Sequence, residues 1–425
     1  MSFNNRFPLR KLIFVGLTAT IASAVPGVSF GQSDAERIRE LERKLDRSLK
    51  TIEDLSNRLK DVETRTPVRS ESAPPSPAQE HEHERRIPEI GSETSSLPTL
   101  LKGFADVGAN FVGNGGNKGF FDGSVDFYLT PQLSSNIKTV IELVFEHDST
   151  GVLSPDLERL QVGYTFTNAT TVWLGRFHTP FGYWNTAFHH GQQLQTSVLR
   201  PQMIDFEDHG GVIPAHTVGV WGTGAVRAGT GRLTYDLYAG NSPSIHGNEL
   251  DPNNAGKTQP GYSTGFNLGY LFGGSADLLK IGVHGYRAVV RDDSLALNVT
   301  RANILGGYAV LDSAAWEVIA EYYALRNEDL SGGTGSHASW TGFAQMGRRL
   351  ERWTPYVRLE RAALSQADNY FAQLATGRAY SRQASGLRYD LTPNSALKME
   401  LNHTVSEATP KAVFNQLLTQ WAIRF

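Results

Sequence analysis

The chain has 425 residues, of which 40% are hydrophobic and 42 are glycine, and its formal net charge is −3. A charge this close to zero argues against a general nucleic-acid-binding protein. The absence of cysteine excludes disulfides, thiol catalysis and thiolate metal ligands. The length would suit two or three soluble domains, but single β-barrels also reach it.

The first 31 residues have the three-part pattern of a secretory signal peptide. Arg6, Arg10 and Lys11 precede the apolar run 12–25, and small residues follow that run. We expect cleavage after Gly31, with Ala24 as the alternative site. The run is too short for a comfortable membrane helix, and no other run reaches the roughly 18 apolar residues that a helical span needs. The protein is therefore expected to leave the cytoplasm without a helical span.

Residues 32–65 predict a short coiled coil. A heptad with a at Ile38, Leu45, Ile52 and Leu59 places Leu41, Ser48, Leu55 and Val62 at d, so the seam is apolar at every position but one. A lone helix of this kind has little to bury, so the seam indicates self-association, with a solitary amphipathic helix as the alternative. The mixture of Ile and Leu leaves dimer and trimer open. Residues 66–98, which are rich in proline, predict a disordered linker, and His81 and His83 within it are expected to be solvated.

From residue 99 to the end, segments of about ten residues with strand character recur between turn signals. They predict an all-β fold, a transmembrane antiparallel β-barrel of about 16 strands. The expected strands are 101–112, 119–129, 136–147, 158–166, 171–178, 216–226, 231–239, 262–272, 279–287, 301–311, 316–325, 340–350, 354–362, 379–391, 396–405 and 415–425.

The connections between these strands alternate in length. Every second one is a tight turn, and those between are mostly longer, at 148–157, 179–215, 240–261, 288–300, 326–339, 363–378 and 406–414. Short turns on one side and long loops on the other are typical of outer-membrane barrels, with the long loops outside the cell. A sandwich or a propeller has no reason to alternate in this way.

The final strand ends the chain on an aromatic residue, Phe425. Its period-two pattern predicts pairing with the first strand and a terminal signal for outer-membrane assembly machinery. In this strand and many others the apolar side chains share one face. A lumen of about sixteen strands is too wide for wall side chains to fill, so this face is expected to meet lipid. Aromatic residues near strand ends are expected in interfacial girdles: Tyr128, Trp173, Trp221, Trp316 and Trp353.

The polar face of the strands is expected to line a water-filled lumen. It carries the bases Lys138, Arg159, Arg232, Lys280, Arg358, Arg388, Lys398 and Arg424, and the acids Glu142, Glu146, Asp236, Glu317, Glu321, Glu360, Asp390 and Glu400. Because the two sets balance, they predict weak ion selectivity unless the charges segregate in space.

The connection 179–215 is too long and too aromatic for a solvated loop. We expect it to fold inward, pack on the barrel wall and narrow the pore. The candidate constriction residues are His189, His190, Arg200, Asp205, Glu207, Asp208 and His209. Their spacing matches no strong metal-ligand pattern, so no metal site is predicted. No cofactor is predicted either, and the chain has neither H-E-x-x-H nor a complete phosphate-binding loop.

The chain resembles the phosphate-selective porin O and P family and its relatives with a coiled coil. The resemblance is carried by the order signal, coiled coil, linker and barrel, by the segment 175–182 (GRFHTPFG), and by Phe425. It implies a trimeric sixteen-stranded outer-membrane channel for small, often anionic solutes, with Arg176 as a lumen-facing base. The family's phosphate selectivity depends on arginine ladders and grouped lysines, which this sequence does not show.

The sequence therefore predicts an outer-membrane porin for passive diffusion of small hydrophilic, possibly anionic solutes. Its expected partners are the lipid bilayer, two further copies of itself and the assembly machinery, without nucleic acid, and the coiled coil would lie in the periplasm. The alternative is a structural barrel tethered through the coiled coil to the cell wall or to a partner. An enzyme is not expected.

Overall fold

A computed structural model describes residues 100–112, 118–131, 133–147, 151–167, 169–188, 191–252, 261–273, 278–293, 298–408 and 410–425. Every described residue belongs to one compact unit, Pro74–Phe425. The predicted signal peptide, coiled coil and linker therefore lie outside the described residues.

The described part of the chain is almost entirely β-structure. Its strands are β1 Leu100–Val112, β2 Gly119–Thr130, β3 Ile137–His147, β4 Leu153–Thr167, β5 Thr170–His178, β6 His216–Ala228, β7 Gly231–Asn241, β8 Ser244–His246, β9 Glu249–Asp251, β10 Tyr262–Leu271, β11 Leu278–Asp292, β12 Val299–Asp312, β13 Trp316–Asp329, β14 Ser336–Arg348, β15 Trp353–Ala363, β16 Tyr380–Thr392, β17 Ser395–Ser406 and β18 Ala412–Arg424. All sixteen predicted strands are confirmed, most with ends within a few residues.

Sixteen of these described strands form a closed antiparallel barrel. Neighbours along the chain pair with each other, and β7 pairs directly with β10 because β8 and β9 form a separate hairpin. Closure occurs between β1 and β18, where Val107 lies opposite Trp421. The last residue completes this seam, since Phe425 N donates to Gly103 O (2.9 Å) and Gly103 N donates to Phe425 O (2.8 Å). The predicted pairing of the terminal strand with the first is confirmed.

Apolar side chains cover the outer face of the barrel. Exposed examples come from strands all around it, including Val107, Leu160, Leu174, Leu237, Ile281, Leu305, Leu359 and Leu401. Trp316 and Trp353 are exposed near the short-turn end, as a girdle requires. The girdle prediction is wrong for Tyr128, Trp173 and Trp221. These rings turn toward the interior, where polar partners are available: Trp221 Nε1 donates to Asp236 (3.1 Å), and the Arg159 guanidinium lies 5.2 Å from the Tyr128 ring centroid.

Short elements that the sequence did not predict lie within the long connections. They are the β8–β9 hairpin, helix α1 (Trp184–Ala187), a 3₁₀ turn at Gln202–Ile204 and helix α2 (Asn369–Gln373). Asp368 caps α2 by accepting a hydrogen bond from Tyr370 N (3.0 Å). Among the described residues, no helix is long and apolar enough to cross a membrane.

A large apolar core lies inside the barrel. The connection 179–215 supplies one side of it, with Phe181, Trp184, Met203, Ile204 and Ile213, and inner-wall residues of β7 and β11–β14 supply the other. Trp184 and Ile204 are completely buried. Wall side chains alone could not fill a lumen this wide, as expected from the sequence. The inward segment provides the missing volume, so the interior is dry on this side.

Candidate functional site

The inward segment, residues 179–215, begins at the end of β5 and returns at the start of β6. The two ends are held together: Thr179 N donates to Ala215 O (2.7 Å), and Asn185 Nδ2 donates to both Thr179 O (2.9 Å) and Ala215 O (3.0 Å). Gly182 turns the chain into the lumen with φ of 60°, and a Cβ there would overlap the Glu321 carboxylate. Both ends therefore leave the wall at one place.

Carboxylates of the opposite wall hold the backbone of the inward segment. Three of them accept its N–H groups: Trp184 N donates to Glu321 (2.6 Å), Val198 N to Glu400 (2.9 Å) and Gln202 N to Glu360 (2.9 Å). The hydroxyl of Thr196 likewise donates to Glu317 (2.8 Å). A buried N–H without an acceptor costs about 1–3 kcal/mol, so these contacts specify where the segment lies.

Basic side chains of the same wall hold its carbonyl groups. Arg358 donates to Leu199 O (2.8 Å), Arg388 to Gln193 O (2.6 Å) and Gln195 O (3.0 Å), and Lys398 to Ser197 O (3.1 Å) and also to Gln192 O. Arg358 also pairs with Glu360 (2.8 Å), and both side chains are buried. The pore-lining candidates Arg358, Glu360, Arg388 and Lys398 thus lie on the inner wall, but they face the inward segment rather than open water.

The inward segment extends along the full height of the barrel. Near its middle, Gln193 Nε2 donates to Pro393 O (3.0 Å) in the short turn between β16 and β17. Nearer its end, Gly210 O accepts from Thr376 Oγ1 in the long connection between β15 and β16. It therefore contacts both ends of the barrel.

Arg200 is an internal strut of the inward segment. Its guanidinium donates to Phe188 O (2.7 Å), Ile204 O (3.0 Å) and Asn185 Oδ1 (3.1 Å), and lies 4.0 Å from the Phe206 ring centroid. Burial lowers the pKa of Arg200 to about 10, which still leaves it charged at neutral pH. Its donors are directed at the segment itself, so it does not present a free cation to a passing solute.

A charged cluster joins the end of the inward segment to β4–β6. His216 lies between two carboxylates, with Nδ1 2.8 Å from Glu207 and Nε2 2.8 Å from Glu158. Arg176 pairs with Glu158 (2.9 Å) and lies 3.5 Å from Asp156. Glu207 and Arg176 were predicted site residues, whereas His216 and Glu158 were not. His216 is the first residue of β6, directly after the inward segment, and this position in the sequence could have identified it as a candidate.

The other candidates on the inward segment are more exposed. Asp208 and His209 lie near Glu146 of β3, with His209 Nε2 3.7 Å from the Glu146 carboxylate. Ligand atoms of these three residues lie within 4.8 Å of one another, but Asp208 and His209 are solvated, and exposed groups of this kind are common without a metal. The predicted His189 and His190 lie outside the described residues.

The remaining predicted lining residues belong to the wall on the other side or to the short-turn end. Glu142 pairs with Arg159, Asp236 accepts from Thr223 (2.6 Å), and Lys280 lies 5.5 Å from the Tyr308 ring centroid. Lys138 is half-buried and Arg232 is exposed. The structure does not gather these side chains with the inward segment into one charged ring.

Residues 261–265 (GYSTG) spell the serine-hydrolase pattern Gly-x-Ser-x-Gly. In such hydrolases the serine sits on a sharp turn from strand to helix. Here Ser263 lies in β10, is buried and donates to Asn241 O (3.0 Å). It is a wall residue and has no nucleophile geometry.

An open cavity remains between the inward segment and the wall at the long-loop end. It has a volume of about 490 Å³ and is lined by Gln202, Asp205, His209, Arg378 and Arg382, together with polar and apolar residues of β1, β17 and β18. Burial raises the pKa of Asp205, an effect that the nearby His209 and Arg200 oppose. Arg382 donates to Gln202 Oε1 (2.9 Å). The sequence analysis did not include Arg382 among the pore-lining candidates, although it lies on the same inward face of β16 as Arg388. The cavity carries charges of both signs.

Solved structures with the same fold are outer-membrane proteins. An anion-selective porin from Comamonas acidovorans is 12% identical, covers 77% of this chain and 98% of its own, and has a TM-score of 0.51. OmpT of Vibrio cholerae is 9% identical over 79% of this chain and 99% of its own, with a TM-score of 0.51. OprB of Pseudomonas putida is 9% identical over 77% of this chain and 94% of its own, with a TM-score of 0.50.

At these identities the likeness shows the fold alone: a closed sixteen-stranded barrel of the outer-membrane porin type. No protein-family model matches the chain, and no curated protein matches it. The resemblance to the phosphate-selective porin O and P family therefore stays a prediction.

Proposed function

We propose that this protein is an outer-membrane channel for passive diffusion of small hydrophilic solutes, narrowed by the inward segment. The observation that carries the proposal is the closed barrel, with apolar side chains outside and buried polar and charged side chains on its inner wall. A closed barrel satisfies all strand hydrogen bonds within itself, which a bilayer requires. The porin-type fold of its structural neighbours supports the same function.

We propose that solutes pass between the inward segment and the barrel wall, through the open cavity at the long-loop end. Because the cavity there holds Asp205 as well as Arg378 and Arg382, we propose weak ion selectivity rather than a phosphate-specific ladder. We propose further that the chain carries a signal peptide and a periplasmic coiled coil, forms a homotrimer and is recognised at Phe425 by assembly machinery. It would act without enzyme activity, metal or cofactor. Anion preference, named for the Comamonas porin, would be the direction of any bias.

One observation favours a second candidate, a structural barrel that conducts little. The apolar core and the inward segment occupy much of the lumen, from the long-loop end to the short turn at Pro393. A barrel plugged in this way could serve mainly to anchor the predicted coiled coil to the membrane. The dry core would then be the function of the segment, and the cavity would be a surface recess.

Planar-bilayer recording separates the two candidates. The purified protein should give stepwise conductance, and under a salt gradient its reversal potential should lie close to zero. A barrel that inserts but passes no current would support the structural role. A strongly displaced reversal potential would contradict weak selectivity while leaving the channel itself intact.

A further inference from the structure

Five arginines lie on the outer face of one sector of the barrel, toward the ends of the strands at the long loops. We call Arg287, Arg291, Arg301, Arg326 and Arg361 the arginine belt; they belong to β11, β12, β13 and β15. Their direction follows from parity. His284 and Tyr323 have the opposite parity on β11 and β13, and both contact the Phe181 ring inside the lumen. The belt therefore points away from the lumen, and all of its arginines but the half-buried Arg301 are exposed.

Below the belt, the type of side chain on the outer face changes along the barrel axis in the order expected across a membrane leaflet. Nearer the short-turn end it presents Ile281 and Leu305, which are 47% and 61% exposed. At the level of the belt's lower edge, Tyr322 and Trp340 stack with ring centroids 6.1 Å apart. Apolar, aromatic and basic surfaces thus follow one another, matching acyl chains, the interface and the headgroups of a leaflet.

Most of the belt has no acidic partner within the described part of the chain. Arg301 bonds to Glu328, but Arg287, Arg291, Arg326 and Arg361 form no ion pair with any described residue. At the edge of a bilayer an arginine is most favourable when an anion neutralises it, and its planar fork matches phosphate oxygens. Charge complementarity therefore calls for an anion supplied from outside the chain.

A groove beside the belt offers room for the rest of such a molecule. It has a volume of about 420 Å³, and its outward lining consists of Tyr322, Trp340, Gly342, Leu359, Arg361, Ser381 and Gln383. The Arg361 guanidinium lies 5.9 Å from the Trp340 ring centroid, at the head of the groove. Gly342 has no side chain to fill the groove, and Leu359 forms its apolar side.

The opposite sector lacks this chemistry at the same end. The outer faces of β1 and β4 present Phe111, Leu153 and Leu157 there, and within their described residues no arginine points outward at this level. On the described strands, outward-facing arginines at the long-loop end are thus found in one sector, that of β11–β15.

We propose that the arginine belt binds the phosphate of an anionic membrane lipid, with an acyl chain lying along the groove. The inference rests on the membrane-embedded barrel proposed above. It adds a specific lipid site on the outside of the barrel, independent of what passes through it. Basic residues near a membrane surface attract anionic lipids in this way.

Spin-labelled lipids measure this preference directly. Wild type, the belt variant R287Q/R326Q/R361Q and the control R227Q/R348Q/R352Q, which removes three arginines near the short-turn end, are each placed in phosphatidylcholine vesicles. The association of labelled phosphatidic acid relative to labelled phosphatidylcholine is then compared. We expect the belt variant to lose roughly fivefold or more of this preference, as for one lost phosphate contact, and the control to keep it.

An unchanged preference in the belt variant, or an equal loss in the control, would overturn the proposal. Displacement of the labelled phosphatidic acid by inorganic phosphate would assign the belt to free phosphate and overturn its assignment to lipid. Conductance of the same vesicles reports on the channel separately. A belt variant that still conducts but has lost its lipid preference supports the lipid site without involving the pore.

Discussion

Two parts of the inner wall carry paired charges, but the pairs do different things. On β2–β5 the charges pair within the wall, as Glu142 does with Arg159 and Arg176 with Glu158. On β13–β17 the charges bond instead to the backbone of the inward segment, as Arg358 and Glu400 do. Inward parity alone therefore does not make a charge a selectivity determinant. A charge on the inner wall can contact solute only where the inward segment or another side chain does not cover it.

The largest effect should come from removing Arg358. The variant R358Q leaves the buried Glu360 without its 2.8 Å partner and frees Leu199 O, so we expect the free energy of unfolding to fall by about 3–5 kcal/mol. Urea unfolding of the detergent-solubilised barrel, followed by tryptophan fluorescence, measures this change. The control R352Q, in an exposed turn, should change it by less than about 0.5 kcal/mol. Equal stabilities of the two variants would mean that this wall does not hold the segment.

A somewhat smaller effect is expected in the apolar core of the same side. Ile204 is completely buried between the inward segment and the wall, so I204A should cost roughly 3 kcal/mol, partly through the cavity that it leaves. L305A on the outer face, where Leu305 is 61% exposed, leaves no cavity and should cost less. The same urea titration compares them. A larger loss for L305A would contradict a dry core inside the barrel.

The smallest effect concerns the open cavity at the long-loop end. Because burial raises the pKa of Asp205, this carboxylate takes up its proton at a higher pH than an exposed aspartate does. As the pH falls through that value the cavity loses a negative charge, so the reversal potential should move a few millivolts toward anion preference. D205N should lack the step, and D208N, which alters an exposed neighbour, should retain it. A step that survives in D205N would place the titrating group elsewhere.

The strands were predictable because their information is local. Period-two alternation and turn residues are readable within ten residues, and the alternation of short and long connections fixes which end is which. The motif at 175–182 also proved to be structural: Phe177 and Phe181 are buried, and Gly182 makes the turn into the lumen. Local sequence pattern was thus informative for the strands and for the start of the inward segment.

The partners of the inward segment were not predictable, because they are distant in sequence. Val198 and Glu400 are 202 residues apart, and nothing in either neighbourhood identifies the other. From the sequence, Arg358, Arg388 and Lys398 were therefore predicted to be pore-lining charges. In the structure they donate to backbone carbonyls of the inward segment. Trp221 was misplaced for a different reason: its indole N–H donates to Asp236, only 15 residues away on the next strand, and this contact turns the ring inward.

Removing most of the inward segment tests the central claim most directly. Deletion of residues 183–212 takes away the material that fills the lumen while leaving all sixteen barrel strands, and the matched deletion of 331–335 shortens an exposed loop tip instead. Single-channel conductance in planar bilayers should rise several-fold for the first deletion and stay at the wild-type value for the second. A first deletion that inserts and conducts no better than wild type would show that the segment does not narrow the passage.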